Sequence, residues 1–135
     1  YFKLRPAYSN ALDSAPHAYY KIFGIFLILQ VFWGCLVGGL KAGIGFNTYP
    51  MMNGNFFPEG GLFMSPIWLN FLENPGTVQW VHRWLGIVTG LVLVAALIKL
   101  KNSKFWTEYK KSALLILALV IVQIILGILT IIYVL

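Results

Sequence analysis

Val78-Gln79-Trp80-Val81-His82-Arg83-Trp84-Leu85-Gly86 opens an apolar segment that runs on to Ile98, and it puts an ionisable pair at the head of that segment. Carrying such groups into a bilayer costs roughly 2.5–3.5 kcal/mol for a charged side chain at mid-membrane on insertion scales, and less near the interface. A pair kept against that cost is a candidate for function. No other long hydrophobic run in the chain contains a histidine.

The surrounding sequence supports a membrane setting. The chain has 135 residues, 59% of them hydrophobic and only 10% charged, with a mean hydropathy of +0.78, which lies outside the usual range of soluble domains. Ile22 to Leu40 is apolar apart from Gln30 and is flanked by Lys21 and Lys41. It is close to the roughly 20 residues that cross a ~30 Å hydrocarbon core. Val78–Ile98 and Ser112–Leu135 are the second and third such runs, the third broken only by Gln123. The expected fold is an all-α integral membrane protein with spans over 21–41, 77–98 and 112–135. A polar connection over 1–20 precedes them, and a basic loop over 99–111 joins the last two. The chain has no starting Met and no signal-peptide pattern, and it stops inside an apolar run, so it is expected to be part of a longer protein.

Ala42 to Gly76 is a connection far longer than the usual median of about 4–6 residues. Phe46, Tyr49, Phe56, Phe57, Phe63, Trp68 and Phe71 make it too apolar for a solvated tail, and its Gly and Pro residues imply a series of turns. Residues 65–73 suit a short interfacial helix, with Ser65 as N-cap and Pro66 in its first turn. The whole of 42–76 is expected to fold as a cap over one membrane face.

Charge sets the expected orientation. The net charge of +6 comes from ten Lys/Arg against four Asp/Glu, and the bases flank apolar runs instead of forming one polar surface, which argues against a nucleic-acid partner. Lys3, Arg5, Lys21, Lys99, Lys101, Lys104, Lys110 and Lys111 fall on one side of the membrane, leaving Lys41 and Arg83 for the other. The positive-inside rule puts the first group in the cytoplasm or matrix and the cap on the outer face. Cys35, the one cysteine, excludes an intrachain disulfide or a cysteine-pair metal site and is expected to be a small packing residue.

His82 lies about five residues, or roughly 7–8 Å, into its helix counting from Thr77. Gly86, Thr89 and Gly90 follow it down the same face, and small residues there leave room for a flat ring. Three readings stay open from the residues themselves. His82 ligates a haem iron, it belongs to a proton or ion path, or it hydrogen-bonds a neighbouring helix while Gly86 and Gly90 form a packing motif. Arg83, turned about 100° away, suits a propionate contact or snorkelling to the interface. Gly34, Gly38 and Ala42, with Gly39 and Gly43 on an adjacent stripe, suit helix packing or the edge of a ring. Glu59 and Glu73 receive no catalytic role. His17 lies a membrane thickness away from His82, so the two cannot share one iron.

Four motifs occur in order: Leu36-Val37-Gly38-Gly39-Leu40-Lys41-Ala42-Gly43, Phe46-Asn47-Thr48-Tyr49-Pro50-Met51-Met52-Asn53-Gly54 with Pro58, Asn70-Phe71-Leu72-Glu73-Asn74, and Val78-Gln79-Trp80-Val81-His82-Arg83. Over Leu36 to Gly90 the chain resembles the second half of the haem A synthase family, in its mitochondrial and alphaproteobacterial type. The resemblance implies an eight-helix protein of two four-helix halves, with this chain holding three transmembrane helices of the second half-bundle. It implies that His82 is an axial ligand of haem b, its partner ligand coming from a further helix. It also implies a reaction in which a methyl group of the substrate haem O becomes a formyl group, giving haem A for cytochrome oxidase.

One departure from the family pattern matters. The half that handles the substrate haem carries a glutamate three residues before the histidine, where this chain has Gln79, so this half is expected to bear the cofactor. Lys41, Arg83 and Asn47 are then expected near the haem's outer edge, with the cap over Asn47–Pro58 excluding water. The expected partners are haem O, the lipid bilayer and an unidentified electron donor, with contact to haem O synthase and a homo-oligomer as further expectations. The expected site is a bacterial plasma membrane or the mitochondrial inner membrane. The alternatives are a b-type cytochrome subunit that only transfers electrons, and a cofactor-free packing or transport subunit.

Overall fold

A computed structural model describes residues 17–133, so most of the connection expected over 1–20 lies outside the described residues. Helix α1 is His17–Gly39, α2 is the single turn Ala42–Gly45, α3 is Asn70–Glu73, α4 is Pro75–Lys101 and α5 is Trp106–Tyr133. A 3-10 turn, Ile67–Leu69, leads into α3. Three of these helices, α1, α4 and α5, are long and apolar enough to cross a membrane. The described residues contain no strand, only an isolated bridge between Met52 and Asn55, and the protein is an all-α integral membrane protein.

Helix boundaries follow local chemistry. Helix α1 begins four residues before Lys21, and after Gly39 the backbone turns left-handed at Lys41, with φ 51°. That break takes Ala42 and Gly43 off α1, so the stripe of small residues expected to continue from Gly34 and Gly38 stops at the end of the helix. Helix α4 starts two residues before 77 because Asn74 caps it. The Asn74 side chain accepts from the Gly76 and Thr77 amides at 3.0 and 3.3 Å, and Pro75, which has no N–H to satisfy, fills the first position. Lys99 and Lys101 in its last turn complement the helix dipole. The loop to α5 is shorter than 99–111, because Trp106 already starts the next helix and Glu108 sits favourably in its first turn. The segment expected as one helix over 65–73 is instead the 3-10 turn followed by α3, and Ser65 precedes both.

The first two spans carry most of the packing. Gly34 of α1 meets His82 of α4, and Gln30, one turn earlier in α1, meets Gly86, one turn later in α4, so the two helices run antiparallel. Helix α5 buries only Ala113 and presents Leu115, Leu119 and Ile125 outward. Exposed Ile25, Ile28, Val31 and Phe32 do the same on α1, the surface a bilayer covers without cost. Cys35 also lies on an exposed face of α1. The largest fully buried side chains are not at mid-span. Met52, Asn70, Thr77, Val78 and Gln79 gather where the cap meets the start of α4.

A histidine seam beneath a clamped cap

The cap is fastened to α4 by amide side chains. Asn70, fully buried, accepts from the Met64 amide at 3.0 Å and donates to the carbonyls of Met64 and Ile67 at 3.0 and 2.9 Å. Asn74, one turn later, donates to Gly60 at 2.9 Å while it caps α4, and Thr77 donates its hydroxyl to Gly61. The Phe46 ring and Pro58 press against Gly76, where a Cβ would meet each at 2.9 Å. Only glycine fits that contact.

A second set of bonds comes from the turn that carries His82. Gln79 Nε2 donates to the Phe46 carbonyl at 3.0 Å, and Arg83 donates to the same carbonyl at 2.8 Å. The other terminal nitrogen of Arg83 reaches the carbonyls of Met51 and Pro50 at 3.2 and 3.3 Å, and the guanidinium lies 5.8 Å from the centre of the Tyr49 ring. Trp80 donates to the Phe56 carbonyl at 2.9 Å, and Phe56, Phe57, Trp80 and Trp84 cluster beside it in edge-to-face and tilted pairs. Within the cap, Asn53 and Gly54, both at positive φ, turn a two-residue hairpin that pairs Met52 with Asn55. The Thr48 hydroxyl braces it, accepting from the Asn53 amide at 2.7 Å and donating to Met51 at 2.8 Å.

Beneath the clamp, His82 faces α1. A Cβ at Gly34 would stand 3.1 Å from His82 Cε1, and Gln30 Nε2 lies 3.4 Å from His82 Nε2. His82 Nδ1, Gln30 Oε1, Gln79 Oε1 and Arg83 Nε are buried without a hydrogen-bond partner. Such atoms are rare and each calls for an explanation. The imidazole is half-buried in the helix seam and does not point into lipid.

The expected site residues therefore separate. Gly86 does not offer an empty face, because the Gln30 amide stands 3.0 Å from where its Cβ would be. Thr89 is buried with its hydroxyl donated to Leu85 in its own helix, as hydroxyls in apolar spans commonly are. Gly38 and Gly90 border open space. Lys41 and Asn47 are exposed, Lys41 at the break after α1 and Asn47 beside the clamped Phe46. Arg83, expected at a propionate, spends both terminal nitrogens on the cap. Sequence reasoning gave no role to Gln30, Asn70, Asn74 or Thr77. Asn74 had a signal, since Asn-Pro-Gly-Thr before an apolar run is a helix start. Gln30 had only its isolation in an apolar span.

The described residues contain no group of three or more His, Cys, Asp or Glu able to hold a bare ion. A single imidazole with a spare nitrogen is what a macrocyclic iron requires of a protein side chain. His82 matches that requirement by donor type, while its ring is closed in by Gly34 and Gln30 of α1.

Taken together, this is a multi-pass all-α membrane protein with a histidine set in a helix seam under a folded cap. The family of cytochrome oxidase assembly proteins matches residues 4–135, and the chain belongs to that family. Among its relatives, a Heme A synthase of Rhizobium etli is 42% identical over 108 residues, covering 78% of this chain and 29% of the relative. Another, of Sinorhizobium medicae, is 43% identical over 111 residues, covering 81% and 30%. A Heme A synthase of Wolbachia pipientis is 35% identical over 130 residues, covering 96% and 35%. The chain thus spans about a third of the length of the curated relatives it matches. No solved structure matches it.

Proposed function

We propose that this chain is the cofactor-bearing part of a haem A synthase, with His82 as an axial ligand to haem b. The carrying observation is a histidine set within a membrane-spanning helix beneath the cap, in a chain whose relatives bear the name Heme A synthase. The partner ligand comes from residues outside the described ones. The reaction converts a ring methyl of haem O to the formyl of haem A. The carbon loses two hydrogens and gains one oxygen, and the electron acceptor and oxygen source are supplied from elsewhere. When bound here, a haem supplies reversible one-electron redox chemistry to that process.

The chain's own residues do three things. His82 would offer a ring nitrogen to the iron, and the α1–α4 seam holds its ring. Gln79, a neutral amide buried without exposed surface, ties that turn to Phe46 and offers no carboxylate, which supports a cofactor site over a substrate site. Arg83 and the Asn70–Asn74–Thr77 set hold the cap over the seam and keep water from it, with the Arg83 Nε left for a propionate or a water. The cap lies on the proposed outer face of the membrane, with Lys41 and Asn47 at its rim.

The test uses the full-length protein carrying His82→Ala. The expected outcome is loss of the low-spin b-type spectrum from this half and loss of haem A from cells supplied with haem O. A wild-type protein that carries haem b but makes no haem A from haem O would support an electron-transfer cytochrome instead. A wild-type protein with no Soret band would support a cofactor-free subunit.

A further inference from the structure

We infer that the cap stretch from Leu62 to Leu72 is a lipid anchor, seated in the leaflet on the cap's side of the membrane at the boundary of headgroups and acyl chains. The inference is independent of the role of His82. Phe63, Ile67 and Trp68 are 75, 62 and 58% exposed, and Leu62, Phe71 and Leu72 are exposed as well. No charged side chain stands between Glu59 and Glu73, which are themselves exposed and bracket the stretch. A run of large apolar side chains left open on a folded surface marks a place that something apolar covers.

The backbone of the stretch shows which cover it suits. Asn70 turns its side chain inward, accepting from the Met64 amide and donating to the Met64 and Ile67 carbonyls. The Leu69 amide donates to the Pro66 carbonyl, the Asn70 amide to those of Ile67 and Trp68, and the Asn74 amide to that of Asn70. Phe71 offers its carbonyl to Trp33 Nε1 at 3.2 Å. Water or a polar protein surface would supply partners for such groups, so neither requires that they be met within the chain. A lipid environment supplies few, and there the requirement is strict.

The Trp33 bond also places the stretch. Trp33 stands nearly two turns before α1 ends at Gly39, about 9 Å along the helix axis, so Phe71 lies beside the end of the span instead of above it. Phe32, exposed on the same helix, meets the Trp33 ring edge to face at 5.1 Å. The patch therefore joins the face of α1 that a bilayer covers. Tryptophan and its aromatic neighbours are the usual residues at headgroup level, and apolar faces laid into that boundary hold a segment to the membrane surface. Anchored in this way, the cap is held from two sides, by Asn74 and Arg83 on α4 and by lipid at Leu62–Leu72.

The experiment places one nitroxide label at a time on the full-length protein in vesicles of phosphatidylcholine and phosphatidylglycerol, using Glu59→Cys, Phe63→Cys and Trp68→Cys with all other cysteines replaced. Collision with oxygen, which concentrates in lipid, is compared with collision with a water-soluble nickel chelate. The oxygen-to-nickel ratio is expected to be several-fold higher at 63 and 68 than at 59. Equal ratios at all three positions would mean that the patch faces water, and would overturn the inference. Labels at 63 and 68 shielded from both probes overturn it too, by showing that protein, from a longer chain or a second copy, covers the patch. The labelled side chains are exposed, so replacing them removes little packing; should one variant aggregate, Ile67→Cys is read in its place on the same criterion. The readings do not depend on bound haem, so a failure here is distinct from a failure of the ligand role proposed for His82.

Discussion

At the scale of the residue, Arg83 is the side chain whose role shifts most between sequence and structure. A lone arginine beside a histidine reads as an anion contact, yet its terminal nitrogens converge on the carbonyls of Phe46, Pro50 and Met51. Backbone carbonyls leave no trace in a sequence, so that use was not legible there. The planar fork matters because an ammonium concentrates its donors at one point and cannot span three acceptors spread along a loop. Arg83→Lys is expected to lower stability by about 1–3 kcal/mol, the range for losing one bond from a charged donor with partial exposure. It should also speed proteolysis between residues 46 and 56 in the solubilised full-length protein. A lysine variant with unchanged melting and cleavage would mean that the clamp is incidental. His82 itself was legible because ionisable groups are rare in spans. Gln30 was not, because its partner is 52 residues away and no periodicity links the two.

At the scale of the element, the three spans were readable because twenty-odd apolar residues admit few other solutions, whereas their ends depend on single side chains. Asn74 shows how. Its oxygen caps α4 and its nitrogen holds Gly60, so one residue sets both where the helix begins and where the cap sits. Serine keeps an acceptor for the helix amides but cannot reach Gly60, and alanine loses both functions. Stability is therefore expected to fall in the order wild type, Asn74→Ser, Asn74→Ala, with the last step worth about 1 kcal/mol, as for other N-caps. Cap proteolysis should rise in both variants, because both lose the Gly60 bond. Thermal unfolding in detergent with serine equal to wild type would show that the loop bond contributes nothing. The cap's turns were legible from Gly and Pro, but which helix they dock on was not, since that is decided by Asn74, Thr77 and Gln79 acting on distant carbonyls.

At the scale of the whole molecule, the two ends of the bundle differ in charge as well as in structure. Lys99 of α4 lies 5.7 Å from the centre of the Tyr19 ring in the first turn of α1, so the start of α1 and the connection to α5 lie at one membrane face. Lys101, Lys104, Lys110 and Lys111 belong to the same end, with Glu108 the only acid there among the described residues, while the cap end holds Glu59, Glu73 and Lys41 beside the clamped Arg83. Near an anionic cytoplasmic leaflet each added base contributes about 1 kcal/mol, so five lysines in one short connection and the helix ends beside it outweigh any bias from the cap. The cap is thus expected on the outer face. Single cysteines replacing Glu59 and Lys104, in a full-length protein whose other cysteines are replaced, beginning with Cys35→Ser, test this in intact cells. A membrane-impermeant thiol reagent should label position 59 at once and position 104 only after permeabilisation. The reverse pattern would put His82 and its cap on the cytoplasmic side, and the haem proposed there would have to be loaded from the opposite face.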